Sequence, residues 1–230
     1  MKKFISLILS AVIAMNIFTI TANAKDTEKT TPSGIPYDNI QTEIDEYITT
    51  YEKGLASAEV AVFDKGGTIF TGYYGYSDIE NSIPADENTV YEWGSASKLL
   101  VWTCVMQLWE QGKIDLETDI REYLPEGFLK KLQYEDETIT MKNLMSHNAG
   151  WQESFYENQY ATEEELDKSL EAALQRCEPY QAYHVGEYTA YSNWGTSLAA
   201  YIVQYVSGED YVDYVHKHIF EPLEMEHTCL

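Results

Sequence analysis

Ser95 and Lys98 are the residues whose types and spacing could most directly do chemistry. They are separated by Ala96 and Ser97 and open an apolar segment that continues to Gln111. Residues three apart on a helix lie on the same face, so the Ser95 hydroxyl and the Lys98 amine can meet. A lysine beside a serine is one arrangement that activates the hydroxyl for attack on a carbonyl carbon. The spacing therefore predicts a nucleophile and its base at the start of a helix.

A helix beginning at Ser95 would also favour the reaction electrostatically. The first turn of a helix carries backbone N–H groups without an intrahelical acceptor and a partial positive charge, which stabilises the anion formed when a serine attacks a carbonyl. A Ser-x-x-Lys match nevertheless arises by chance about once in a few hundred residues. An ordinary helix with an exposed lysine explains these four residues equally well, so the rest of the chain must decide.

The first 24 residues have the organisation of a secretory signal peptide. A basic start precedes a nearly continuous apolar run over residues 4–20, and Ala22-x-Ala24 forms a small-residue cleavage site before Lys25. A membrane anchor is the alternative interpretation, although a spanning helix usually needs about 20 apolar residues. We expect residues 1–24 to be removed and the protein to be secreted or held in the cell envelope.

The charge of the chain and the spacing of its histidines argue against several kinds of partner. The 230 residues carry a net charge of −23 at pH 7, and such an acidic surface repels nucleic acid and anionic lipid. His216 and His218 lie near His227, but residues two apart on a helix point to different sides, so no metal site is predicted. No pattern in the sequence indicates an oligomeric state.

The three cysteines are too few and too scattered for a disulfide framework. Cys104 lies inside an apolar helical segment and is predicted to be a buried thiol. A bridge between Cys177 and Cys229 is compatible with export, and the sequence leaves it open.

Apolar periodicity and turn residues predict an α+β organisation. After a polar linker over residues 25–36, we expect a helix over 40–51 and a hairpin of two strands over 58–64 and 68–74. The segment 95–111 is apolar nearly all round, which predicts a buried central helix. Further helices are predicted over 119–124, 141–146, from the Thr162–Glu165 capping box through Leu174, over 196–206 and over 211–220. Two strands cannot form a stable sheet by themselves, so the sheet is expected to be incomplete.

Several blocks of sequence occur in an order that is far more specific than the Ser-x-x-Lys match alone. They are 72–80, 94–98 with 105–116, 144–150 (Leu-Met-Ser-His-Asn-Ala-Gly), 191–195 (Tyr-Ser-Asn-Trp-Gly) and 219–225 (Ile-Phe-Glu-Pro-Leu-Glu-Met). In this order they resemble the serine β-lactamase-related hydrolases, a group that includes class C β-lactamases, D-alanyl-D-alanine carboxypeptidases and related esterases. The resemblance runs from about residue 37 to the C-terminus.

This resemblance implies a fold and a set of site residues. The fold is α+β, of the β-lactamase and penicillin-binding transpeptidase type, over residues 37–230. Ser95 would attack a carbonyl and form an acyl-enzyme, with Lys98 and Tyr191 acting together as the base. Asn193 would hydrogen-bond the substrate amide. The implied substrate is a small molecule or a peptidoglycan peptide, and no cofactor is implied.

The Tyr-x-Asn pattern needs its context, because it also begins at Tyr37 and Tyr156. Only the triplet from Tyr191 to Asn193 continues with Trp-Gly, as in the resembled family. A capped helix start is the alternative interpretation, since Asn is a good N-cap residue. His147, in the block 144–150, is expected to have a structural role near the end of a helix.

Some positions depart from the family pattern. Glu224 stands where a Gly is usual, and Val185 stands where a Pro commonly precedes Gly186. The third family motif, Lys-Thr-Gly or His-x-Gly on a strand beside the serine, is not found after Tyr191. The His184-x-Gly triplet has the right letters but comes before it. Because that strand completes the central sheet and the oxyanion hole, we expect C-terminal sheet strands to be missing.

Two classes of function follow. The first is an exported serine acyl-hydrolase, of the β-lactamase or carboxypeptidase type, acting on a peptide, β-lactam or ester. The alternative is a non-catalytic protein, either truncated or binding penicillin without turnover. A chain without the third motif is expected to be poorly active, since loss of one oxyanion donor costs about 10²–10³ in rate.

Overall fold

The computed structural model describes residues 29–153 and 169–230. They belong to two compact units, the first ending at Tyr91 and the second beginning at Glu92. The predicted signal peptide, the first residues of the predicted linker and the predicted capping box at Thr162 lie outside the described residues. Among the residues that are described, no helix has both the length and the apolar character needed to cross a membrane.

In its described part, the first unit contains one α-helix and a three-stranded antiparallel sheet. Helix α1 is Ile40–Tyr51, strand β1 is Ser57–Asp64, strand β2 is Gly67–Asp78 and strand β3 is Ile83–Pro84, in the sheet order β1-β2-β3. The predicted helix and hairpin are confirmed. Strand β3 was not predicted from the sequence. Two residues give no alternating pattern, and the proline lacks a backbone N–H donor for strand pairing.

This first unit buries little of its apolar surface. Within its described part only Ile40 and Ala85 are buried hydrophobic residues, while Phe63 and Ile79 are 74% and 65% exposed. A small sheet with one helix cannot enclose a core of its own, which accounts for this exposure.

The second unit is helical and contains the main core. The α-helices in the described part of this unit are α2 Lys98–Glu110, α3 Met141–Met145, α4 Leu170–Arg176, α5 Asn193–Ser207 and α6 Tyr211–Val215, and α6 continues as a π-helix over His216–Phe220. Short 3₁₀ helices cover Gly94–Ser97 and Ile120–Tyr123 here, and Tyr37–Asn39 and Glu52–Gly54 in the first unit. Helix α5 is the most buried and packs against α2, α3, α4 and α6.

Local capping explains where several of these helices begin. Thr140 and Asn143 form a reciprocal capping box at α3, and Ser169 and Ser192 accept backbone N–H groups at the starts of α4 and α5. Gly208, with φ 75°, ends α5. These capping contacts fix where α3, α4 and α5 begin and where α5 ends.

The helix that follows Ser95 differs from its prediction in two respects. Its first turn, Gly94–Ser97, is 3₁₀, and the α-helical part begins at Lys98. The prediction of burial all round was wrong, because Leu99 is 67% and Trp109 is 48% exposed. The buried residues of α2 lie on the face toward α5 and α6, and Leu99 projects from the opposite face.

The cysteines form no disulfide in the part of the chain that the structure describes. Cys104 is buried, as predicted, and its burial raises the pKa of the thiol to about 12. Cys177 is buried and Cys229 is exposed, and the bridge between them that the sequence left open is not made.

A turn over residues 147–150, directly after α3, holds the segment 181–192 that leads into α5. Each of its consecutive carbonyl groups accepts a hydrogen bond from that segment. The pairs are Ala190 N to His147 O at 2.7 Å, Gly186 N to Asn148 O at 2.8 Å, Gln181 Nε2 to Ala149 O at 3.1 Å and Ala182 N to Gly150 O at 2.8 Å. The geometry of the 147–150 turn therefore sets the path of the chain toward Tyr191.

Gly150 is required by this turn for two reasons, and its replacement is a test of the arrangement. Its φ is 89°, and a Cβ atom at this position would lie 2.1 Å from the Tyr183 carbonyl oxygen. We expect Gly150→Ala to lower the free energy of unfolding by more than the about 1–3 kcal/mol that a strained backbone alone costs. Chemical denaturation measures this loss.

Gly208→Ala is the matched control. Gly208 also has a positive φ, of 75°, but no atom lies within 4 Å of the position a Cβ would occupy. Its substitution therefore introduces strain without a clash and should be the milder of the two. Equal losses of stability in the two variants would contradict the role given to the Gly150–Tyr183 approach.

Candidate active site

The side chains of Ser95, Lys98 and Tyr191 meet in the second unit. Lys98 Nζ donates a hydrogen bond to Ser95 Oγ at 3.2 Å, and the Tyr191 hydroxyl donates to the same oxygen at 2.8 Å. Lys98 Nζ also lies 4.9 Å from the centre of the Tyr191 ring. The structure thus brings the three predicted catalytic residues into one cluster around the serine oxygen.

Local structure explains the Ser95–Lys98 contact. Ser95 lies in the 3₁₀ turn Gly94–Ser97, and Lys98 is the first residue of α2. The Ser97 hydroxyl donates to the Gly94 carbonyl at 2.8 Å and closes this turn. Ser95 is exposed, whereas Lys98 is half-buried, so an incoming molecule can reach the hydroxyl.

Tyr191 reaches Ser95 from the segment that the 147–150 turn holds. The residues on either side of it, Ala190 and Ser192, both donate their backbone N–H groups to His147. The side chain of Ser192 then caps α5 through the Gly195 N–H at 2.9 Å. Tyr191 is therefore fixed between a turn and a helix start.

Asn193 does not contact the serine directly but lies beside the cluster. It is the first residue of α5, and its backbone N–H donates to Glu153 Oε2 at 2.6 Å. Asn193 and Lys98 line the same cavity, of about 240 Å³, together with Thr196 and Ser197. Ser95 and Tyr191 are not among the residues that line this cavity.

The electrostatics of the cluster favour ionisation of the phenol. Hydrogen bonding by Lys98, and then by Ser95, lowers the pKa of Tyr191, while burial and the charge of Glu153 act in the opposite direction. A positive charge beside a phenol stabilises the phenolate. Once Tyr191 has lost its proton, the Ser95 hydroxyl can donate across the same contact, so Tyr191 can act as a base.

One residue of this site, Glu153, was not predicted from the sequence. Its carboxylate accepts the Asn193 N–H, and because the two residues are 40 positions apart, no local sequence pattern indicates the contact. His147 was expected to be structural, and its ring lies 4.4 Å from that of Tyr191. The signal for His147 was its place in the block 144–150.

Two other histidines weighed in the sequence, His184 and His218, pair with carboxylates outside this cluster. His218 and Lys217 pair with Glu209 at 3.1 and 2.7 Å, and within the described ranges no three His, Cys, Asp or Glu side chains are grouped to hold a metal ion. His184 pairs with Glu137 at 2.6 Å, so the His-x-Gly triplet before Tyr191 helps to hold the 181–192 segment.

Comparisons with known proteins add independent information. The Beta-lactamase family model matches residues 40–230. PbpX of Bacillus subtilis (strain 168), named as a penicillin-binding protein, is 32% identical over 182 residues, which cover 79% of this chain and 43% of the relative. A teichoic acid D-alanine hydrolase of Staphylococcus aureus is 27% identical over 186 residues, with 81% and 43% coverage.

A solved structure titled as a class C beta lactamase superimposes with a TM-score of 0.67 and 26% identity, covering 83% of this chain and 51% of that chain. The predicted α+β fold of the β-lactamase and penicillin-binding protein type is thereby confirmed. The chain spans less than half the length of the two curated relatives.

The electrostatic link between Lys98 and Tyr191 can be tested directly. We expect Lys98→Met to raise the pKa of Tyr191, because the first cause of its lowered value is the hydrogen bond with Lys98. The measurement is a pH titration by NMR of protein labelled with ¹³C at tyrosine Cζ. The Tyr191 signal is assigned by its loss in Tyr191→Phe.

Lys131→Met is the control for this titration. Lys131 Nζ lies 5.3 Å from the centre of the Tyr180 ring and donates to the Glu178 carbonyl at 2.7 Å, and Lys131 is not among the charges that shift the pKa of Tyr191. The Lys131→Met substitution removes one positive charge from the protein, as Lys98→Met does, without changing the Ser95–Lys98–Tyr191 cluster. A Tyr191 pKa that moves equally in both variants would show that net charge, and not the Lys98 contact, sets it.

Proposed function

Because the chain belongs to the beta-lactamase family, we propose that it is a serine acyl-hydrolase that works through an acyl-enzyme on Ser95. The observation that carries this proposal is the pair of hydrogen bonds on Ser95 Oγ, from Lys98 Nζ at 3.2 Å and from Tyr191 at 2.8 Å. An activated serine needs an adjacent base, and an amine and a phenol on one hydroxyl can supply it.

In the first step the Tyr191 phenolate takes the proton of Ser95 while Oγ forms a bond to the carbonyl carbon of the substrate. The Lys98 ammonium stabilises the phenolate before the transfer. The carbonyl oxygen becomes an oxyanion. We propose that the backbone N–H of Ser95, in the 3₁₀ turn before α2, donates to that oxyanion, and that the field at the start of the helix favours the negative charge.

In the second step the oxyanion collapses and the bond to the leaving group breaks. Tyr191 returns the proton to the departing nitrogen or oxygen, which leaves an ester on Ser95. Water then attacks this ester, gives its proton to Tyr191 and releases the acid, and Ser95 recovers its proton. The same phenol transfers the proton in acylation and in deacylation. Its lowered pKa supports the proposal, because the phenolate form is the base.

The proposed acyl donors are a β-lactam, a D-alanyl peptide or an ester. The donor is either a small molecule or a peptide of peptidoglycan. The names of the relatives, a penicillin-binding protein and a teichoic acid D-alanine hydrolase, support this group of substrates. Asn193 is proposed to hydrogen-bond the amide of the donor from the cavity that it shares with Lys98. We place the protein outside the cytoplasm, since residues 1–24 have the features of an export signal.

Acylation by benzylpenicillin tests the nucleophile. After incubation for hours, which allows for slow acylation, the intact protein should gain the mass of one benzylpenicillin, and peptide mapping should place it on Ser95. Ser95→Ala should remove the labelling. Ser207→Ala is the matched control and should remain labelled at Ser95, because Ser207 lies at the C-terminal end of α5, where its hydroxyl donates to the Gln204 carbonyl at 3.3 Å.

The outcomes separate the two classes of function. Labelling followed by recovery of the unmodified mass indicates a hydrolase. Labelling without recovery indicates a protein that recognises penicillin without turning it over. If neither benzylpenicillin nor an activated D-alanyl ester labels the wild-type chain, the proposal is wrong.

Removal of the phenol tests the base. We expect Tyr191→Phe to lower the acylation rate about 10²–10⁴-fold, the usual contribution of a positioned acid–base group. Tyr188→Phe, at an exposed residue whose ring contacts Tyr183, should leave the rate unchanged. Time courses of labelling give both rates, and a Tyr191→Phe rate equal to that of wild type would remove Tyr191 from the mechanism.

A further inference from the structure

We infer that His147 is a positioning residue for Tyr191 and that it acts in its neutral form. The inference rests on the proposed function of Ser95 and Tyr191. It assigns a residue that, on the sequence alone, was expected only to pack near a helix end.

His147 contacts three consecutive residues centred on Tyr191. Its carbonyl oxygen accepts from the Ala190 N–H at 2.7 Å, and its Nδ1 accepts from the Ser192 N–H at 3.2 Å. Its ring lies 4.4 Å from the Tyr191 ring, at an interplanar angle of 35°. One residue therefore fixes the backbone before Tyr191, the backbone after it and the plane of the phenol.

The position of His147 is itself fixed by the chain before it. Its φ is 53°, in the left-handed region, and its N–H donates to the Leu144 carbonyl at 3.1 Å at the end of α3. The capping box of Thr140 and Asn143 holds the other end of that helix. The anchor of Tyr191 is thus a short, doubly capped element and not a mobile loop.

The contact with Ser192 determines the protonation state of the imidazole. A ring nitrogen that accepts from a backbone N–H cannot carry a proton, so Nδ1 is unprotonated and the ring proton belongs on Nε2. Protonation at Nδ1 would replace this hydrogen bond by two opposed N–H groups. The segment that carries Tyr191 would then lose its anchor on one side.

The surroundings of His147 favour the neutral form. Burial and the charge of Lys98 lower its pKa below the ordinary value of 6.5, and Glu153 acts in the opposite direction. Tyr191, which stacks on it, is neutral or negatively charged. Because the pKa is lowered, the neutral form persists as the pH falls below 6.5, and the anchor is lost only when the pH passes through the lower, folded-state value.

Two substitutions separate positioning from general structure. His147→Asn places an amide oxygen near the position of Nδ1, tolerates a positive φ and does not titrate. His147→Ala removes the acceptor and the ring. We expect His147→Ala to lower the maximal acylation rate by benzylpenicillin at least about 10-fold, with the half-saturating concentration little changed, because a misplaced group costs up to about 10². His147→Asn should retain the rate within a few-fold.

The pH profile gives the readout that a purely structural role would not move. Protonation of the Tyr191 phenolate lowers the acylation rate as the pH falls, in wild type and in His147→Asn alike. Protonation of His147 should add a second acid limb below pH 6.5, and His147→Asn should lose this second limb. His216→Asn is the matched control, since the His216 ring meets Phe220 edge to face in the π-helix and its substitution should leave the second limb in place.

Several results would overturn the inference. These are a wild-type rate in His147→Ala, an Asn variant as impaired as the Ala variant, or survival of the second acid limb in His147→Asn. If His147→Ala does not fold, the Asn variant and its pH profile decide.

If the wild-type chain is not acylated at all, the proposed function fails, and the ¹³C titration of Tyr191 tests the inference separately. His147→Ala should then raise the pKa of Tyr191 by displacing it from Lys98, and an unchanged value would overturn it.

Discussion

The hydrogen bonds between the 147–150 turn and the 181–192 segment are the constraint on which the site depends. Ala149 and Gly150 are buried, and a buried carbonyl without a partner costs about 1–3 kcal/mol, so the segment has little freedom to leave the turn. If it did leave, Tyr191 would lose its contact with Ser95. The reactive cluster is therefore held by backbone hydrogen bonding next to α5, in the helical unit.

Buried polar side chains extend this constraint to the neighbouring loop. Glu178 is only 3% exposed, and its carboxylate accepts the N–H groups of Lys130 and Lys131 at 2.7 and 2.8 Å. Gln181 is equally buried and bridges the Tyr134 N–H and the Ala149 carbonyl. Since buried polar groups are costly unless they are satisfied, each of these contacts fixes two segments at once.

The local charge of the site contrasts with that of the whole chain. The protein carries a net charge of −23, yet the ammonium of Lys98 lies between a hydroxyl and a phenol, and its charge lowers the pKa of both Tyr191 and His147. A positive centre suits a reaction that passes through a phenolate and an oxyanion. Glu153 is the nearby acidic group, and it is engaged with the start of α5.

The sequence by itself determined the features that depend on neighbouring residues. The Ser95–Lys98 contact follows from i,i+3 spacing, the hairpin from its glycine turn, and the start of α3 from Thr140 and Asn143. The order of the blocks also predicted the fold, because it reflects the whole chain and not one motif. Boundaries were correct within a few residues wherever a cap or turn residue marked them.

Only the tertiary structure decided the contacts between distant residues. Tyr191 and Ser95 are 96 positions apart, and Glu153 and Asn193 are 40 apart, so their meeting depends on how α5 packs against α2 and α3. The exposure of Leu99 depended on packing in the same way, since an apolar helix shows which face it buries only when its neighbours are placed. Local hydrogen bonds are encoded by spacing, whereas these contacts are fixed by the burial of helices against one another.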